Sequence, residues 1–145
     1  MSLLGTRKVL TLEAARVVIA AGEAFAVENR WKVVIAVVDA GGHPIALVRL
    51  DGAQWSSVDT AIEKARAAIA WKRPSRLLEE SIAGGRTALL SIAQGMAMLQ
   101  GGLPLEADGE PIGAVGVSGV KASDDERVAL AGVEAFRTAL AAGNP

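Results

Sequence analysis

The side chains best suited to chemistry in this chain gather around one predicted turn and the segments that follow it. His43 is the only histidine and stands directly after Gly41-Gly42. A glycine turn presents an imidazole without burying it, so His43 is a candidate axial ligand to a cofactor, or a proton donor at the mouth of a pocket. An ordinary polar turn residue is the alternative, and the sequence leaves both open.

Arg49, Asp51 and Lys64 form a second group of candidates. If strand alternation holds, Arg49 shares a face with Ile45 and Leu47, which is an unusual place for a guanidinium unless an anion meets it there. The forked donors of arginine suit a clamp for carboxylates. A surface ion-pair cluster is the alternative, because exposed ion pairs are common and weak.

Composition narrows the classes of function. The 145 residues fit one domain, and a formal charge of −1 leaves no field that would attract nucleic acid or an anionic membrane. The chain has no cysteine, which excludes disulfides and thiolate chemistry. Neither a basic N-terminal region before an apolar run nor an apolar stretch of about 18 residues is visible, so a cytoplasmic location is expected.

A glycine-rich stretch, 111–119, precedes a predicted helix and invites comparison with phosphate-binding loops. The spacing is not G-x-G-x-x-G. The acids Asp124, Asp125 and Glu126 occupy the first helical turn and would repel a pyrophosphate. Close approach of another element or a ligand to the backbone is the favoured explanation for these glycines.

The first half of the chain predicts a helix, a hairpin and a second helix. The helix spans about 11–29 with Thr11 as its cap, and the β-branched run 33–38 predicts a strand covered on both faces. Gly41-Gly42 turns the chain into a returning strand, 44–50. An approximate capping box of Ser56 and Asp59 starts a helix through about residue 72.

The second half predicts short helical pieces over 75–94, a strand at 96–99, and a hairpin around Asp108-Gly109. A capping box of Ser123 and Glu126 starts the last helix. Antiparallel strands with helices before, between and after them indicate an α+β fold over a single domain, 1–145. A low-aromatic chain rich in alanine and glycine should also retain apolar surface to bury against copies of itself, so a homo-oligomer is expected.

Several fragments in order resemble one known family. They are 38–43 (VDAGGH), 49–53 (RLDGA), 64–65 (KA), 101–104 (GGLP), 112–119 (IGAVGVSG) and 124–126 (DDE). Each fragment is short, but together they run from about residue 10 to residue 140 at compatible spacing. The chain resembles the GlcG/HbpS-like proteins, which include the C-terminal domain of the PduO corrinoid adenosyltransferases.

The resemblance implies a profilin-like fold, with a five-stranded antiparallel sheet flanked by helices, assembled into dimers or higher oligomers. It also implies a small-molecule ligand, since some members bind or degrade haem. The recurrent positions of the family correspond to a set that the resemblance suggests shares a pocket: Asp39, Gly42, Arg49, Asp51, Lys64, Gly101, Gly102, Gly116, Ser118, Gly119 and Glu126. The chain has no tyrosine or cysteine to ligate iron.

Two functions remain in view. The first is a binding protein for haem or a related tetrapyrrole or corrinoid, with Arg49 and Lys64 meeting its carboxylates and His43, Met96, Met98, a hydroxyl or a neighbouring subunit supplying the axial ligand. The second is a small catabolic enzyme or accessory protein acting on an anionic metabolite, with Asp39 or Asp51 as acid–base group. An oligomeric structural protein without a ligand is a third alternative.

Overall fold

A computed structural model of the chain describes residues 1–143. Its elements are α1 (Leu12–Glu28), β1 (Val34–Asp39), β2 (Pro44–Arg49), α2 (Ser56–Trp71), α3 (Ser75–Ala83), a 3-10 helix (Thr87–Ile92), β3 (Gly102–Ala107), β4 (Glu110–Ser118) and α4 (Ala122–Ala141). The strands form one antiparallel sheet in the order β2-β1-β4-β3. None of the described helices is long and apolar enough to cross a membrane.

Helices cover both faces of this sheet. Helix α2 packs on one face, and α1 and α4 pack together on the other. The predicted α+β class is therefore confirmed. The described residues contain four strands, however, and not the five of the expected profilin-like sheet.

The predicted strand at 96–99 accounts for the difference. This segment is irregular and lies on helices instead of joining the sheet. The Ala97 N–H donates to the Glu63 carbonyl of α2, and Met98 packs against Ala67 and Leu78. The alternation of the two methionines predicted a strand. Alternating burial shows that one side of a segment is covered, but not whether a sheet or a helix covers it.

The centre of the sheet is the strand that the β-branched run predicted. All residues from Val33 to Val38 are fully buried. Val34, Ala36 and Val38 face α2, whereas Ile35 and Val37 face α1 and α4. Coverage on both faces explains why the run has no polar alternation.

The hairpin register agrees with the prediction at one end and departs from it at the other. Arg49 pairs with Val34 and Leu47 pairs with Ala36, so Arg49 and Leu47 share a face, as expected. A register shift near the turn leaves Ile45 without a partner, and Ile45 packs against the cluster under α1 and α4. The expectation that Ile45 shares the face of Arg49 is therefore wrong, because a β-bulge interrupts the alternation.

Two helix starts also differ from the prediction. Thr11 caps α1 through a hydrogen bond from the Ala14 N–H, as expected. The predicted capping box of Ser56 and Asp59 is not formed, since α2 begins at Ser56 itself after Trp55, without a side-chain cap. Ser56 therefore lies inside the first turn and not before it.

The predicted capping box of α4 is wrong for the same reason. The helix begins at Ala122, so Ser123 already lies within the first turn. Glu126 bonds outside the helix instead of to its N-terminus. The buried carboxylate of Asp125 takes over the junction by accepting the Val120 N–H.

Helix α2 approaches the sheet at positions that only glycine allows. A Cβ atom on Gly116 would collide with the carbonyl oxygen of Ala61, and one on Gly102 would collide with the carbonyl oxygen of Lys64. The interpretation of the glycines in 111–119 as sites of close backbone approach is confirmed for Gly116, and Gly102 on β3 has the same role. The backbone of α2 is therefore in direct contact with β3 and β4.

The close approach predicts the effect of Gly116→Val. A branched side chain cannot fit without moving α2, so we expect a loss of about 3 kcal/mol or more of unfolding free energy, and a Tm lower by roughly 10 °C or more. Glu79→Ala is the control, since Glu79 forms no ion pair among residues 1–143. Equal melting temperatures for the two variants, measured by circular dichroism, would contradict the packing role of Gly116.

Candidate functional site

The predicted site residues divide between the two ends of the sheet. Val34 pairs with Arg49 on one side and with Ser118 on the other, so these residues mark one end. Asp39 lies five residues further along β1, about 16 Å away. His43 lies at this second end, because its carbonyl accepts the Asp39 N–H at 2.9 Å. Within one protomer, the two groups do not share a pocket.

At the first end of the sheet, the side chain of Lys64 is buried in the interior. Its side chain is only 4% exposed, and Nζ donates to the Val117 carbonyl and to Asp125 Oδ2, both at 3.0 Å. Asp125 Oδ1 accepts the Val120 N–H at 3.0 Å. This ion pair joins α2, the end of β4 and the start of α4. The expected role of Lys64 as a partner for ligand carboxylates is therefore wrong, because the ammonium is already satisfied.

The protonation equilibrium of the Asp125 carboxyl also differs between the folded and the unfolded chain. Burial raises the pKa of the Asp125 carboxyl, while the charge of Lys64 and the Val120 N–H oppose that rise. The folded protein therefore holds this proton more tightly than the unfolded chain does. The contribution of this group to stability is complete below its unfolded pKa and declines as pH rises through its folded pKa.

The remaining predicted glycines at this end have packing roles. A Cβ on Gly101 would lie 2.7 Å from the Val117 carbonyl oxygen, and one on Gly119 would lie 2.8 Å from the Cα of Val33. Their φ angles, +133° and +148°, favour glycine in any case. Together with Gly102 and Gly116, these residues allow neighbouring elements to pack in direct contact.

Ser118 and Glu126 are likewise bonded within the protein. The Ser118 hydroxyl lies 3.2 Å from the buried Ser57 hydroxyl. Glu126 accepts from Arg76 Nε at 3.3 Å and from Gln100 Nε2 at 3.2 Å, which ties α4 to α3 and to the loop before β3. These predicted site residues therefore connect elements of the fold.

Arg49 and Asp51 are exposed at the same end. Neither forms an ion pair with any residue of 1–143. The alternative of a surface cluster of Arg49, Asp51 and Lys64 is therefore wrong, since Lys64 is buried with Asp125. Arg49 remains on the α2 face of the edge strand, beside the exposed Leu47.

The second end of the sheet has the more open chemistry. Asp39 Oδ1 accepts the N–H groups of Gly41 and His43 at 2.9 and 3.0 Å, which fixes the turn. His43 is exposed, and its imidazole has no hydrogen bond among the described residues. On the other side of the turn, Arg66 Nε donates to the Gly42 carbonyl at 2.9 Å.

A cavity of about 340 Å³ opens beside this turn. It lies between the β1–β2 turn, the exposed side of α2 and the loop before β3. Its lining combines one charged residue, Arg66, and one polar residue, Gln94, with small and apolar ones: Ala40, Gly41, Gly42, Ile69, Ala70, Gly95 and Met96. The turn end therefore combines an unbonded imidazole, a guanidinium and a concave surface.

A larger cavity of about 450 Å³ lies elsewhere, between the N-terminal segment, α1 and α4. Apolar residues such as Ile112, Phe136 and Leu140 line it, with the exposed pair of Lys8 and Asp108 at its rim. No predicted site residue reaches it, and it contains no buried polar group that would orient a ligand.

The sequence analysis did not identify Ser57 or Arg66 as residues of the two ends of the sheet. It also did not predict that Asp125 is buried. Asp125 precedes Val128 by three positions, so the apolar stripe of α4 already placed it on the buried face. Arg66 follows Ile62 by four positions and precedes Ile69 by three, on the apolar side of α2. A charged residue on an apolar stripe was the available signal. Ser57 had no comparable signal.

The buried ion pair predicts a strongly non-additive pair of substitutions. Lys64→Met or Asp125→Leu alone leaves a buried charge without a partner, so each should cost about 3–5 kcal/mol of unfolding free energy. The double variant should cost clearly less than the sum. Lys8→Met, at the exposed pair with Asp108, is the control and should cost under about 1 kcal/mol. Additive losses in urea unfolding would show that the pair is not coupled.

Comparison with known proteins places the chain among relatives. The family model described as haem-degrading protein HbpS-like matches residues 10–134. Protein GlcG of Escherichia coli strain K12 is 42% identical over 113 residues, which cover 78% of this chain and 84% of GlcG.

Solved structures agree with the sequence match. Klebsiella pneumoniae protein ORFY has a TM-score of 0.89 and 32% identity, covering 94% of this chain and 97% of its own. The PduOC:heme complex has a TM-score of 0.82 and 25% identity, covering 88% of this chain and 95% of its own. The resemblance seen in the sequence fragments is confirmed: the chain belongs to the HbpS-like family.

Proposed function

We propose that this protein binds a small anionic ligand, with haem or a related tetrapyrrole or corrinoid as the first candidate, at the β1–β2 turn. The exposed and unbonded imidazole of His43 is the observation that carries the proposal. A similar fold is seen in the PduOC:heme complex, and the matching family is described as haem-degrading. Both likenesses support haem as the ligand to test first.

The turn fixes the backbone of His43, whereas the imidazole ring forms no hydrogen bond with the described residues. Asp39 fixes the backbone on both sides of Gly42 through two N–H groups, and Gly42 has a φ of +83°. The imidazole itself is solvated, so it can coordinate iron without first losing a protein hydrogen bond. A neutral imidazole is also a common axial ligand of haem iron.

The fold narrows the other candidate axial ligands. Met98 is 5% exposed and packed between Ala67 and Leu78, so it cannot reach a ligand without local unfolding. Met96 is half-buried and lines the cavity beside the turn. Met96 is therefore the second candidate, next to His43. Arg49 lies at the opposite end of β2, about 16 Å along the strand from Pro44, so it is a more distant contact for a haem held at the turn.

The alternative, an enzyme that acts on an anionic metabolite, has less support. Its predicted acid–base groups, Asp39 and Asp51, are poorly placed for proton transfer. Asp39 uses one carboxylate oxygen to hold the turn. Asp51 is exposed at the far end of the hairpin. The two acids are not adjacent to each other, and neither bonds to a side chain that would tune it for proton transfer. Binding is therefore the function that the geometry supports best.

We also propose that the protein is a homo-oligomer. Large apolar side chains are exposed at several places, notably Trp55 (84% exposed), Leu90 (59%) and Ile92 (54%). Leu90 and Ile92 lie on the same short 3-10 helix, and exposed apolar surface of this kind is a common feature of interfaces. A second copy of the chain is the simplest partner for such a surface.

The oligomer proposal predicts a mass of twice the chain mass or more in solution. Multi-angle light scattering at micromolar concentration measures it directly. Trp55→Ser is expected to lower the mass or the association constant, and Thr138→Ser, at an exposed position of α4, is the matched control. A mass near 14.9 kDa for the unmodified protein would reject the proposal.

The haem proposal predicts a saturable, shifted Soret band on titration with haemin. His43→Ala should weaken binding about tenfold or more, because the axial ligand is lost. Arg49→Ala should weaken it less, since Arg49 lies at the other end of the hairpin.

Two outcomes would contradict this. The absence of a saturable shift in the unmodified protein would end the haem proposal. An unchanged spectrum in His43→Ala would end the assignment of His43, and loss of the shift in Met96→Leu would transfer the role to Met96.

A further inference from the structure

The guanidinium of Arg66 lies at the edge of the 340 Å³ cavity, and most of its N–H donors form no hydrogen bond with the described residues. Arginine carries five N–H donors, and the only hydrogen bond of this side chain among residues 1–143 runs from Nε to the Gly42 carbonyl. No carboxylate of the described residues lies within ion-pair distance of it. A half-buried cation without a counter-ion loses hydration that a bound anion would replace.

The position of this guanidinium is held from two sides. The Arg66 side-chain stem packs on Gly42, where an added Cβ would lie 3.2 Å from Arg66 Cγ. The Nε hydrogen bond to the Gly42 carbonyl fixes the plane of the group at 2.9 Å. Across the cavity, Nη1 lies 3.9 Å from where a Cβ of Gly95 would be. The terminal amino groups therefore lie between the turn and the loop before β3.

The opposite wall offers further donors. The backbone N–H groups of Gln94 and Gly95 have no acceptor among the described residues, and both residues line the cavity. Gly95 has a φ of +70°, which lets its backbone approach closely. Among residues 1–143, no acidic residue lines the cavity.

We infer that this cavity binds the carboxylate of a short organic acid, with Arg66 as its bidentate partner. The inference goes beyond the proposed haem site, because it needs neither iron nor His43. The two free amino groups of a guanidinium match the two oxygens of a carboxylate. The hydrocarbon part of the acid then lies against Ile69, Ala70 and Met96.

Charge and size favour a carboxylate over a phosphate. One guanidinium balances a single negative charge, and no lysine lines the cavity to balance a second. Ligand pockets commonly span about 300–1,000 Å³, so a cavity of about 340 Å³ suits a small ligand. A single, partly exposed ion pair gives modest affinity, so a Kd of about a millimolar is expected.

Titration of the 145-residue chain with butyrate, followed by ¹H–¹⁵N NMR, tests the inference. Saturable shifts are expected at the amides of Gly41, Gly42 and Gly95. Butanol has a similar shape without the charge and should cause none. Arg66→Met keeps the side-chain stem and should weaken binding about tenfold or more. Arg66→Lys keeps the charge but loses the fork, and should weaken it less.

Arg73→Met is the matched control. Arg73 is exposed just after α2, and among residues 1–143 its side chain donates only to the Trp71 carbonyl, so loss of this side chain should leave butyrate binding unchanged. Butyrate shifts that persist in Arg66→Met, or equal shifts with butanol, would overturn the inference. Inorganic phosphate that competes more tightly than butyrate would overturn its assignment to carboxylates. The butyrate results do not depend on haem binding, so loss of haem binding in His43→Ala would leave the inference intact.

Discussion

The contact between the backbone of α2 and the sheet is the constraint on which the rest of the structure depends. Gly116 and Gly102 remove the side chains that would separate them, and the carbonyl oxygens of Ala61 and Lys64 occupy the space. Small residues on α2 complete the contact, since Ala61, Ala65 and Ala68 are buried there. A core with few aromatic side chains can reach native packing density only if its elements come this close.

This close contact determines what Lys64 can do. Because α2 lies so near β4, the Lys64 ammonium reaches the Val117 carbonyl and Asp125 at the start of α4. The ion pair therefore joins both helical layers across one end of the sheet. Several of the site residues that the resemblance implied, Lys64, Gly102 and Gly116 among them, therefore have a structural role here.

The open chemistry lies at the other end, where the β1–β2 turn, α2 and the loop before β3 meet. His43 points into solvent on one side of the turn, and Arg66 supports the other side through Gly42. The two proposals place their ligands at neighbouring positions: a haem that would use the imidazole and a small carboxylate that would use the guanidinium. Membership of the HbpS-like family supports the first, and the local geometry supports the second.

The sequence by itself determined the elements whose signals are local. The β-branched run of β1, the Thr11 cap of α1 and the glycine turn before His43 all formed as predicted, because each follows from backbone preference and periodicity. Only the tertiary structure decided which surface a side chain meets. Residues 96–99 pack on helices, Lys64 pairs with Asp125, and His43 lies about 16 Å along β1 from Arg49. Such partners come from distant parts of the chain, so no local pattern encodes them.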